Sequence, residues 1–359
     1  MNKRFGTNYI ILLLVFFPFL TECKTPAAPK QKDVIKIMSY NVLKYGDGCQ
    51  GTANEMHAYL KTIINYTDPD ILGLVKVEAI PTGPNAKGKA PIAFEDSILA
   101  HALNAARADK YAVCPFSNAA RDNNQTLLFY NKHKFGFSSF VTLVSDITDI
   151  NMYKLYYLGS NLPNIHDTVF VYIVLVHTDS GDESDMRDRQ MTELMNALRK
   201  RFATLPNIIV MGDFNLRKTN EPGYQALTNN AEKNYCFIDP PFLIDKKVSY
   251  PGNWDKHPER FSVFLTTSTR RKDKEPNNCG TGGAAKGWYD HILLSPSITS
   301  NTNFYHYIAG SYHTIGNDGK RIDASVNDMP NKAAPVAVLN ALYQMSNKYP
   351  VMLELGIND

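Results

Sequence analysis

The chain has 359 residues, of which 44% are hydrophobic and 20% are charged. This is the composition of a globular protein with a substantial core, and the length allows either two domains or one large sandwich. The formal net charge of +3 is too small to indicate a nucleic-acid or membrane partner on its own.

The N-terminus has the layout of a secretory signal peptide. Lys3 and Arg4 precede the run YIILLLVFFPFL, which is too short to span a membrane comfortably, and a polar stretch opens at Thr21. The alternative is an N-terminal anchor helix, which the short run and Pro18 disfavour. We therefore expect residues 1–22 to be a signal peptide. The exported protein would be periplasmic, an outer-membrane lipoprotein or secreted.

The sequence leaves lipidation of Cys23 open. The segment LTEC loosely resembles a bacterial lipoprotein box, but Glu22 stands where such boxes normally hold a small residue. A lipid on Cys23 is the one membrane link that the sequence suggests. Residues 23–33 are predicted to be a tether, because KTPAAPKQKD is rich in Pro and Lys and has no apolar period. Residues 34–359 are predicted to be the folded domain.

From residue 34 onward, strand-like and helix-like segments interleave. Apolar, β-like runs predict strands at 34–40, 71–77, 125–131, 136–144, 152–158, 168–177, 207–211, 288–295 and 349–355. Helical spacing predicts helices at 54–66, around 93–106 and at about 184–203, and a short apolar helix-like run stops at Ser346. The stretch 251–287 is rich in loop residues, and no internal repeat is present.

The cysteines beyond the signal peptide allow disulfides but do not define them. An exported chain meets an oxidising compartment, so these four residues can pair in three ways, and free buried thiols are an equally good interpretation. No C-x-x-C spacing is present, so a zinc site is not expected. The four residues are Cys49, Cys114, Cys236 and Cys279.

Polar side chains stand at the ends of four predicted strands. Such ends are suited to chemistry because the strand is rigid and its tip is exposed. Each residue alone has an ordinary structural explanation, as a turn residue, a core histidine or a cap. Together they form a stronger pattern: Asn41 in SYN, His177 after VLV, Asp213 and Asn215 in GDFN, and Asp290 with His291 in DHILLS.

In the order and spacing of SYN, VH, GDFN, DHILxS and a final SxxxPV, the chain resembles the endonuclease/exonuclease/phosphatase superfamily over about residues 33–356. The segments PGNW and STR (268–270) resemble an exported bacterial branch. The resemblance implies an α+β fold, a four-layer αββα sandwich with two mixed β-sheets face to face and helices outside. It also implies a phosphoesterase in which Mg²⁺ polarises the scissile phosphate.

The family motifs assign catalytic roles residue by residue. The Asp and Asn of GDFN position water and phosphate, the histidine of VH stabilises the transition state, and the Asp of DHIL orients a closing histidine. The residues that match are Asn41, His177, Asp213, Asn215 and Asp290.

Three positions depart from the family pattern. Asn347 and Lys348 stand where the family has Asp-His, and Lys76 stands where the family's metal-binding Glu lies when the strand is aligned on Leu74 and Val77. We expect Lys76 to lie beside Asp213 and neutralise that buried carboxylate as a cation does, and Lys348 to form a charge pair with Asp290. We therefore expect Asn41, Lys76, Asn347 and Lys348 to hold an anion, with Mg²⁺ doubtful. The alternative is that Glu78, two residues beyond Lys76 and on the same strand face, holds the metal.

Three functions are compatible with this pattern. The first is a weak or lapsed phosphoesterase that still binds anions, and the second is an active Mg²⁺-dependent phosphodiesterase, nuclease or phosphatase that uses Glu78. The third is a surface adhesion or assembly module that uses loops such as 251–287. A phosphorylated ligand or nucleic acid is the expected partner class. The basic run TRRKDK (269–274) is more typical of a solvated loop than of a polyanion site.

Overall fold

Two mixed β-sheets contain the strands of the computed structural model, which describes Met1 and residues 33–46, 48–79, 94–120, 123–159, 169–181, 184–272 and 282–358. In chain order the strands are β1 (Val34–Tyr45), β2 (Ile71–Glu78), β3 (Tyr111–Val113), β4 (Asn124–Asn131), β5 (Phe135–Ser145), β6 (Asp149–Tyr157), β7 (Phe170–His177), β8 (Ile208–Asp213), β9 (Asp290–Leu294), β10 (Tyr305–Tyr307), β11 (His313–Thr314) and β12 (Val351–Ile357).

The helices lie between these strands. They are α1 (Ala53–Thr67), α2 (Phe94–Ile98), α3 (Asn104–Ala106), α4 (Asp185–Arg201), α5 (Pro222–Thr228), α6 (Pro240–Leu243) and α7 (Val336–Met345). A π-helical segment, Leu99–Leu103, joins α2 to α3, so the helix predicted around 93–106 is not regular. Short 3₁₀ segments occupy Lys233–Tyr235, Pro258–Phe261 and Pro296–Thr299. No helix of the described ranges is long and apolar enough to cross a membrane.

The first sheet has the strand order β10-β12-β1-β2-β4-β3, and β11 pairs with β12. In this sheet β1 and β2 run parallel, and the other pairs are antiparallel. The second sheet has the order β5-β6-β7-β8-β9, in which β7 and β8 are the parallel pair. Helix α4 connects β7 to β8, as a parallel pair requires a crossover.

The two sheets pack face to face, with β1, β2, β4 and β12 against strands of the second sheet. A Cβ atom on Gly73 of β2 would lie 2.5 Å from Leu175 Cδ2 and 2.9 Å from Met211 Cε, so the sheets approach closely here. Helices α1 and α7 contact each other, and so do α4 and α5. The predicted α+β sandwich is confirmed.

Local sequence explains where the long elements begin. Helix α1 has a capping box, in which the Glu55 backbone N–H donates to Thr52 Oγ1 and the Thr52 backbone N–H donates to the Glu55 carboxylate. The loop-rich stretch after residue 251 is anchored by the fully buried Trp254, whose indole N–H donates to the Leu216 carbonyl at 2.7 Å.

A compact unit begins at Asp33. Apart from Met1 and Asp33, the predicted signal peptide and tether lie outside the described residues, so their boundaries stay predictions. Cys49 is disulfide-bonded, whereas Cys114 and Cys236 are free and buried.

Gly212 is a position where the fold requires glycine. Its φ is +146°, and a Cβ atom there would lie 1.9 Å from the Val176 carbonyl oxygen on the neighbouring strand. The missing side chain lets β7 and β8 pair through to their last residues. We expect Gly212→Ala to lower the free energy of unfolding by about 3 kcal/mol, since both backbone strain and a backbone clash oppose it.

Gly283 supplies the matched control, because its φ is +106° and a Cβ atom there would have no neighbour within 4 Å. Gly283→Ala should cost about 1–2 kcal/mol from the left-handed backbone alone. Urea denaturation of both variants measures the difference. Equal losses would contradict the close approach at Gly212.

Candidate functional site

The strand registers bring three of the predicted site residues side by side. His177 at the end of β7 pairs with Asp213 at the end of β8, and Asp213 pairs with Asp290 at the start of β9. Asn41 of the other sheet reaches the same point, because its Nδ2 donates to Asp213 Oδ2 at 2.8 Å. We call this group of residues the rim site.

Lys348 lies at the centre of the rim site. Its Nζ is 2.8 Å from Asp213 Oδ2 and 4.0 Å from Asp290 Oδ2. The ammonium also lies 4.6 Å from the ring centroid of Tyr289, in cation–π geometry. Only 6% of Lys348 is exposed, so the charge is held between two buried carboxyl groups rather than in water.

Backbone contacts fix the segment that carries Lys348. The Lys348 N–H donates to Ser346 Oγ at 3.1 Å, and Ser346 Oγ donates to the Asn41 carbonyl at 2.7 Å. The carbonyl of Asn347 accepts from the Thr269 N–H at 3.1 Å, and the side chain of Asn347 is buried. This segment is therefore tied to β1 on one side and to the 266–269 loop on the other.

The two carboxyl groups of the rim site have opposite protonation behaviour. Burial works to raise the pKa of Asp213, but the charges of Lys348 and His177, with hydrogen bonds from Lys348 and Asn41, lower that pKa to about 2. Burial and the nearby Asp213 charge raise the pKa of Asp290 well above its usual value, although Lys348 opposes this.

Asp213 is therefore ionised at pH 7 and pairs with Lys348, whereas the raised pKa of Asp290 shifts that carboxyl group toward its protonated form. Among the described residues, no donor has the distance and angle of a hydrogen bond to either Oδ atom of Asp290. Burial works to lower the pKa of Lys348, but the charges of Asp213 and Asp290 outweigh it and raise that pKa. Lys348 therefore stays protonated and neutralises the charge of Asp213.

His177 is neutral at physiological pH. Burial lowers the pKa of His177 to about 4, and the charges of Lys76 and Lys348 act in the same direction while Asp213 opposes them. The carbonyl of His177 accepts a hydrogen bond from Thr148 Oγ1 at 2.6 Å, which holds the end of β7. An imidazole in this state donates one hydrogen bond and accepts another.

Asn215 shares the loop of Asp213 and orients it. Its backbone has φ +48°, and its N–H donates to Asp213 Oδ1 at 3.0 Å. Its side-chain Nδ2 donates to the Thr178 carbonyl at 2.9 Å. The backbone bond fixes the carboxylate of Asp213, and the side-chain bond uses one of the two Nδ2 hydrogens of Asn215.

Lys76 lies in a distorted part of β2. Relative to β4, the strand carries one extra residue between Leu74 and Val77, and Lys76 has φ +65°. Its charge acts on His177, so the side chain lies near the rim site. Glu78 is 6% exposed and pairs with Asn124. The bulge breaks the two-residue alternation, so counting along the strand no longer places Glu78 on the face of Lys76.

Two residues of the rim site, Thr266 and Tyr289, were missed in the sequence. Thr266 Oγ1 accepts from the N–H groups of Tyr289 and Asp290, at 3.0 and 3.2 Å, and so places the start of β9. Ser346 and Tyr289 support Lys348 as described above. Tyr289 stands directly before Asp290 in the sequence, and this position next to a motif residue could have identified it as part of the site. Nothing in the sequence distinguishes Thr266 from other loop threonines.

Two residues from the sequence motifs lie in the core instead. His291 is fully buried, with Nδ1 3.0 Å from Asp239 Oδ2 and Nε2 3.0 Å from the Trp288 carbonyl. Arg270, from the basic run expected to be solvated, is also fully buried, and its guanidinium donates to Gln50 Oε1 at 2.6 Å. Arg271 and Lys272 are exposed, and residues 273–274 lie outside the described ranges.

The rim site is a poor fit for the divalent cation that the resemblance implies. Within the described ranges, no three His, Cys, Asp or Glu side chains group so as to hold a metal ion. Asp213 Oδ2 already accepts from Asn41 and contacts the ammonium of Lys348. Hard cations require several free oxygen ligands, and here a cation would have to displace the ammonium.

Comparison with known proteins gives a consistent fold. The model of the endonuclease/exonuclease/phosphatase family matches residues 38–313. No curated protein sequence matches the chain significantly.

Solved structures similar to this chain include three with TM-scores just above 0.5. A Bacteroides thetaiotaomicron endonuclease/exonuclease/phosphatase family protein has TM-score 0.51 and 13% identity, over 92% of this chain and 100% of that one. The human Nocturnin catalytic domain with bound sulfate has TM-score 0.51 and 14% identity, over 91% of this chain and 98% of that one. D. rerio TDP2 complexed with single-strand DNA product has TM-score 0.52 and 15% identity, over 90% of this chain and 98% of that one. At these identities the likeness shows the fold.

The opposite protonation of Asp213 and Asp290 gives opposite pH effects on stability. A carboxyl group whose pKa is higher in the folded protein than in the unfolded chain stabilises the fold at pH values below the unfolded pKa of about 3.9. This contribution is lost as pH rises. Asn cannot ionise, so Asp290→Asn should gain stability relative to wild type as pH rises from about 4 to 7.

Asp213→Asn is the matched comparison. Because its pKa is lowered, Asp213 stabilises the fold above about pH 3.9, and this contribution is lost as pH falls toward 2. This variant leaves Lys348 without its close carboxylate and should cost about 3–5 kcal/mol at pH 7, a loss that shrinks below about pH 4. Urea denaturation across this pH range measures both. Similar losses for the two variants at pH 7 would show that the carboxyl groups are not differentiated.

Proposed function

The chain belongs to the endonuclease/exonuclease/phosphatase family, and from that premise we propose that it is an exported, weak or lapsed phosphoesterase that still binds anions. The observation that carries this proposal is the ammonium of Lys348, 2.8 Å from Asp213 Oδ2. A family of metal-dependent phosphoesterases uses this carboxylate beside an imidazole and a cation. Here a protonated lysine occupies the place beside it.

The electrostatics support weak metal binding. Two unit charges about 4 Å apart attract by roughly 4 kcal/mol at an effective dielectric near 20, before desolvation is subtracted. A divalent cation at Asp213 would have to displace this buried ammonium, and it would lack the Glu that the family supplies at the position of Lys76. Both effects act against binding at ordinary magnesium concentrations.

The acid–base chemistry is also weakened. A general base needs a pKa near the operating pH, and the raised pKa of Lys348 keeps it protonated. His177, with a pKa of about 4, is available as a neutral hydrogen-bonding group. The rim site therefore has groups that hold an anion, while the group that would move a proton at the closing position is absent.

Anion binding is the activity that these side chains favour. Lys76 is half-buried, and with His177 and Lys348 it offers hydrogen-bond donors near one another. The human Nocturnin catalytic domain binds a sulfate, and D. rerio TDP2 binds a single-strand DNA product. We propose a phosphate ester, free or within a nucleic acid, as the ligand class.

Restoring the family residues tests the lapse of catalysis. The variant Lys76→Glu/Asn347→Asp/Lys348→His should create magnesium binding, measured by calorimetry with Mg²⁺ and Mn²⁺, and some activity on a bis-phosphoester, where the wild type shows little of either. Lys76→Glu alone should restore metal binding better than chemistry, because a lysine would remain at the acid–base position.

The wild-type protein supplies the decisive control. Magnesium-dependent phosphodiester hydrolysis by wild type above about 1 s⁻¹, an ordinary enzyme rate, would contradict the proposal. Glu78 would then be the metal ligand, and Glu78→Gln should abolish that activity. Phosphate binding by wild type without magnesium is the result that the proposal requires.

Export is the second part of the proposal. The signal-peptide layout of residues 1–22 and the disulfide at Cys49 support it, because disulfides form and persist in oxidising compartments. We expect mass spectrometry of the envelope fraction to find mature protein without residues 1–22. An intact Met1 or Asn2 terminus in that fraction would overturn this part, and a diacylated Cys23 would establish a lipoprotein.

A further inference from the structure

The edge strand β5 of the second sheet differs from the other sheet edges of the described ranges. Strands β3, β10 and β11, at the edges of the first sheet, have only two or three residues each, and β9 has five. The edge of β9 is also covered, because Ile238 and Leu294 exchange backbone hydrogen bonds of 2.8 and 2.9 Å. By contrast, β5 has 11 residues. Short or covered edges are the usual protection against pairing with other chains, and β5 has neither.

The outer edge of β5 presents backbone groups that can pair with a further strand. In the part of the chain that the structure describes, the backbone of residues 135–145 hydrogen-bonds to no strand or loop other than β6. At about 3.4 Å per residue the edge is roughly 37 Å long. A row of N–H and C=O groups of this length is a template on which another strand can be added.

The sequence of β5 lacks the residues that usually protect a long edge. The strand reads FGFSSFVTLVS and contains no charged residue and no proline, whereas lysine and proline on an exposed edge oppose pairing. Several of its apolar side chains are only half-buried, namely Phe137, Phe140, Val141 and Leu143. A strand added at this edge would cover apolar surface that water now reaches, and this burial would favour the pairing.

Two β-bulges leave the middle of the strand regular. Relative to β6, β5 carries one extra residue between Phe137 and Ser139 and another between Thr142 and Val144. Bulges twist a strand and can protect an edge where they occur. Between the two bulges, residues 139–142 pair one by one with β6, so their outer backbone groups continue a regular ladder. The middle of β5 is therefore the place for a partner strand.

A second copy of this chain is the partner that β5 fits. Two copies related by a two-fold axis place β5 antiparallel to itself, and an uncharged strand meets no like charge in its own copy. Helix α4 beside the strand carries both signs, since Glu193, Lys200 and Arg201 line a concavity with Leu143. The flank of the strand therefore has no field of one sign that would repel a copy. Because each copy has one such edge, the pairing closes at two chains.

We propose that the chain forms a homodimer in which the β5 strands of two copies pair antiparallel around residues 139–142. The second sheets of the two copies then become one continuous sheet. Leu175 of β7 is level with Thr142 of β5 through Asn151 of β6, so His177 and the rim site lie toward the Ser145 end of β5. Antiparallel pairing places the two rim sites at opposite ends of the joined sheet, so the dimer does not depend on a ligand there.

Sedimentation velocity of the purified protein over a range of concentrations tests the association. One strand pair is a small interface, so we expect a dimer dissociation constant of about 1–100 µM. Hydrogen exchange at concentrations well below and well above this constant locates the contact. The backbone amides of β5 should exchange more slowly at the high concentration, whereas those of the short edge strands β3 and β10 should exchange equally at both.

A charge in the middle of the strand should disrupt the dimer. Ser139 is exposed, and Ser139→Lys introduces an ammonium group twice at the interface, so we expect association at least about tenfold weaker. Ser139→Thr changes the same position without a charge and should keep the dimer. Ala58→Lys adds a lysine at an exposed position on α1 and should leave the association unchanged. Thermal denaturation confirms that each variant is folded.

Several results would overturn the proposal. One is a protein that stays monomeric well above about 100 µM, and another is a Ser139→Lys variant that dimerises as tightly as wild type. Slowed amide exchange confined to residues outside β5 would assign the contact to another surface. A dimer held by a disulfide, which non-reducing gel electrophoresis detects, would also contradict strand pairing.

Discussion

The contact between Lys348 and Asp213 joins the two sheets at the rim site. Asp213 ends β8 in the second sheet, and Lys348 lies just before β12 in the first. Burial makes this contact consequential, because an ion pair removed from water leaves a costly charge when either partner is lost. Asn41 and Ser346 hold the same two segments through hydrogen bonds. The geometry of the rim therefore depends on a pair whose ammonium a metal ion at Asp213 would have to displace.

This arrangement shows how a buried lysine can stand beside Asp213 in an intact fold. A buried Asp213 requires a positive partner, and an ammonium supplies one without any ligand from solution. Asp290 is next to it in the sheet, and burial together with the Asp213 charge raises the pKa of Asp290. The cluster thus balances its own charge, whereas a catalytic cluster relies on a bound ion to do so. In our proposal, the positive charge beside Asp213 belongs to a side chain that stabilises the fold, whereas catalysis would need a bound ion there.

The sequence was informative wherever buried strands end in polar residues. The main strands and helices follow from apolar runs that alternate with helical segments, and the family resemblance implied the αββα sandwich. The ends of β7, β8 and β9 could be found from VLVH, GDFN and DHILLS. The short strands β3, β10 and β11 could not be found, because two or three residues carry no period. The bulge at Lys76 was also hidden, since backbone conformation with φ +65° is set by neighbouring strands rather than by a lysine's own preference. Arg270 was misjudged because a charge run shows nothing about which member is buried.

The position of β12 affects the order in which this domain can fold. Residues Val351–Ile357 form a strand that lies between β10 and β1, inside the first sheet. Its neighbour β1 is supplied from the opposite end of the domain, and the bond from Ser346 to Asn41 spans 305 residues. A ribosome delivers β1 long before β12, so one edge of β1 stays unpaired throughout elongation. Contacts of such long range form slowly, and an unpaired strand edge can recruit other chains. The nascent domain is therefore more exposed to aggregation than the finished one, and a chaperone that covers β1 would act in that interval.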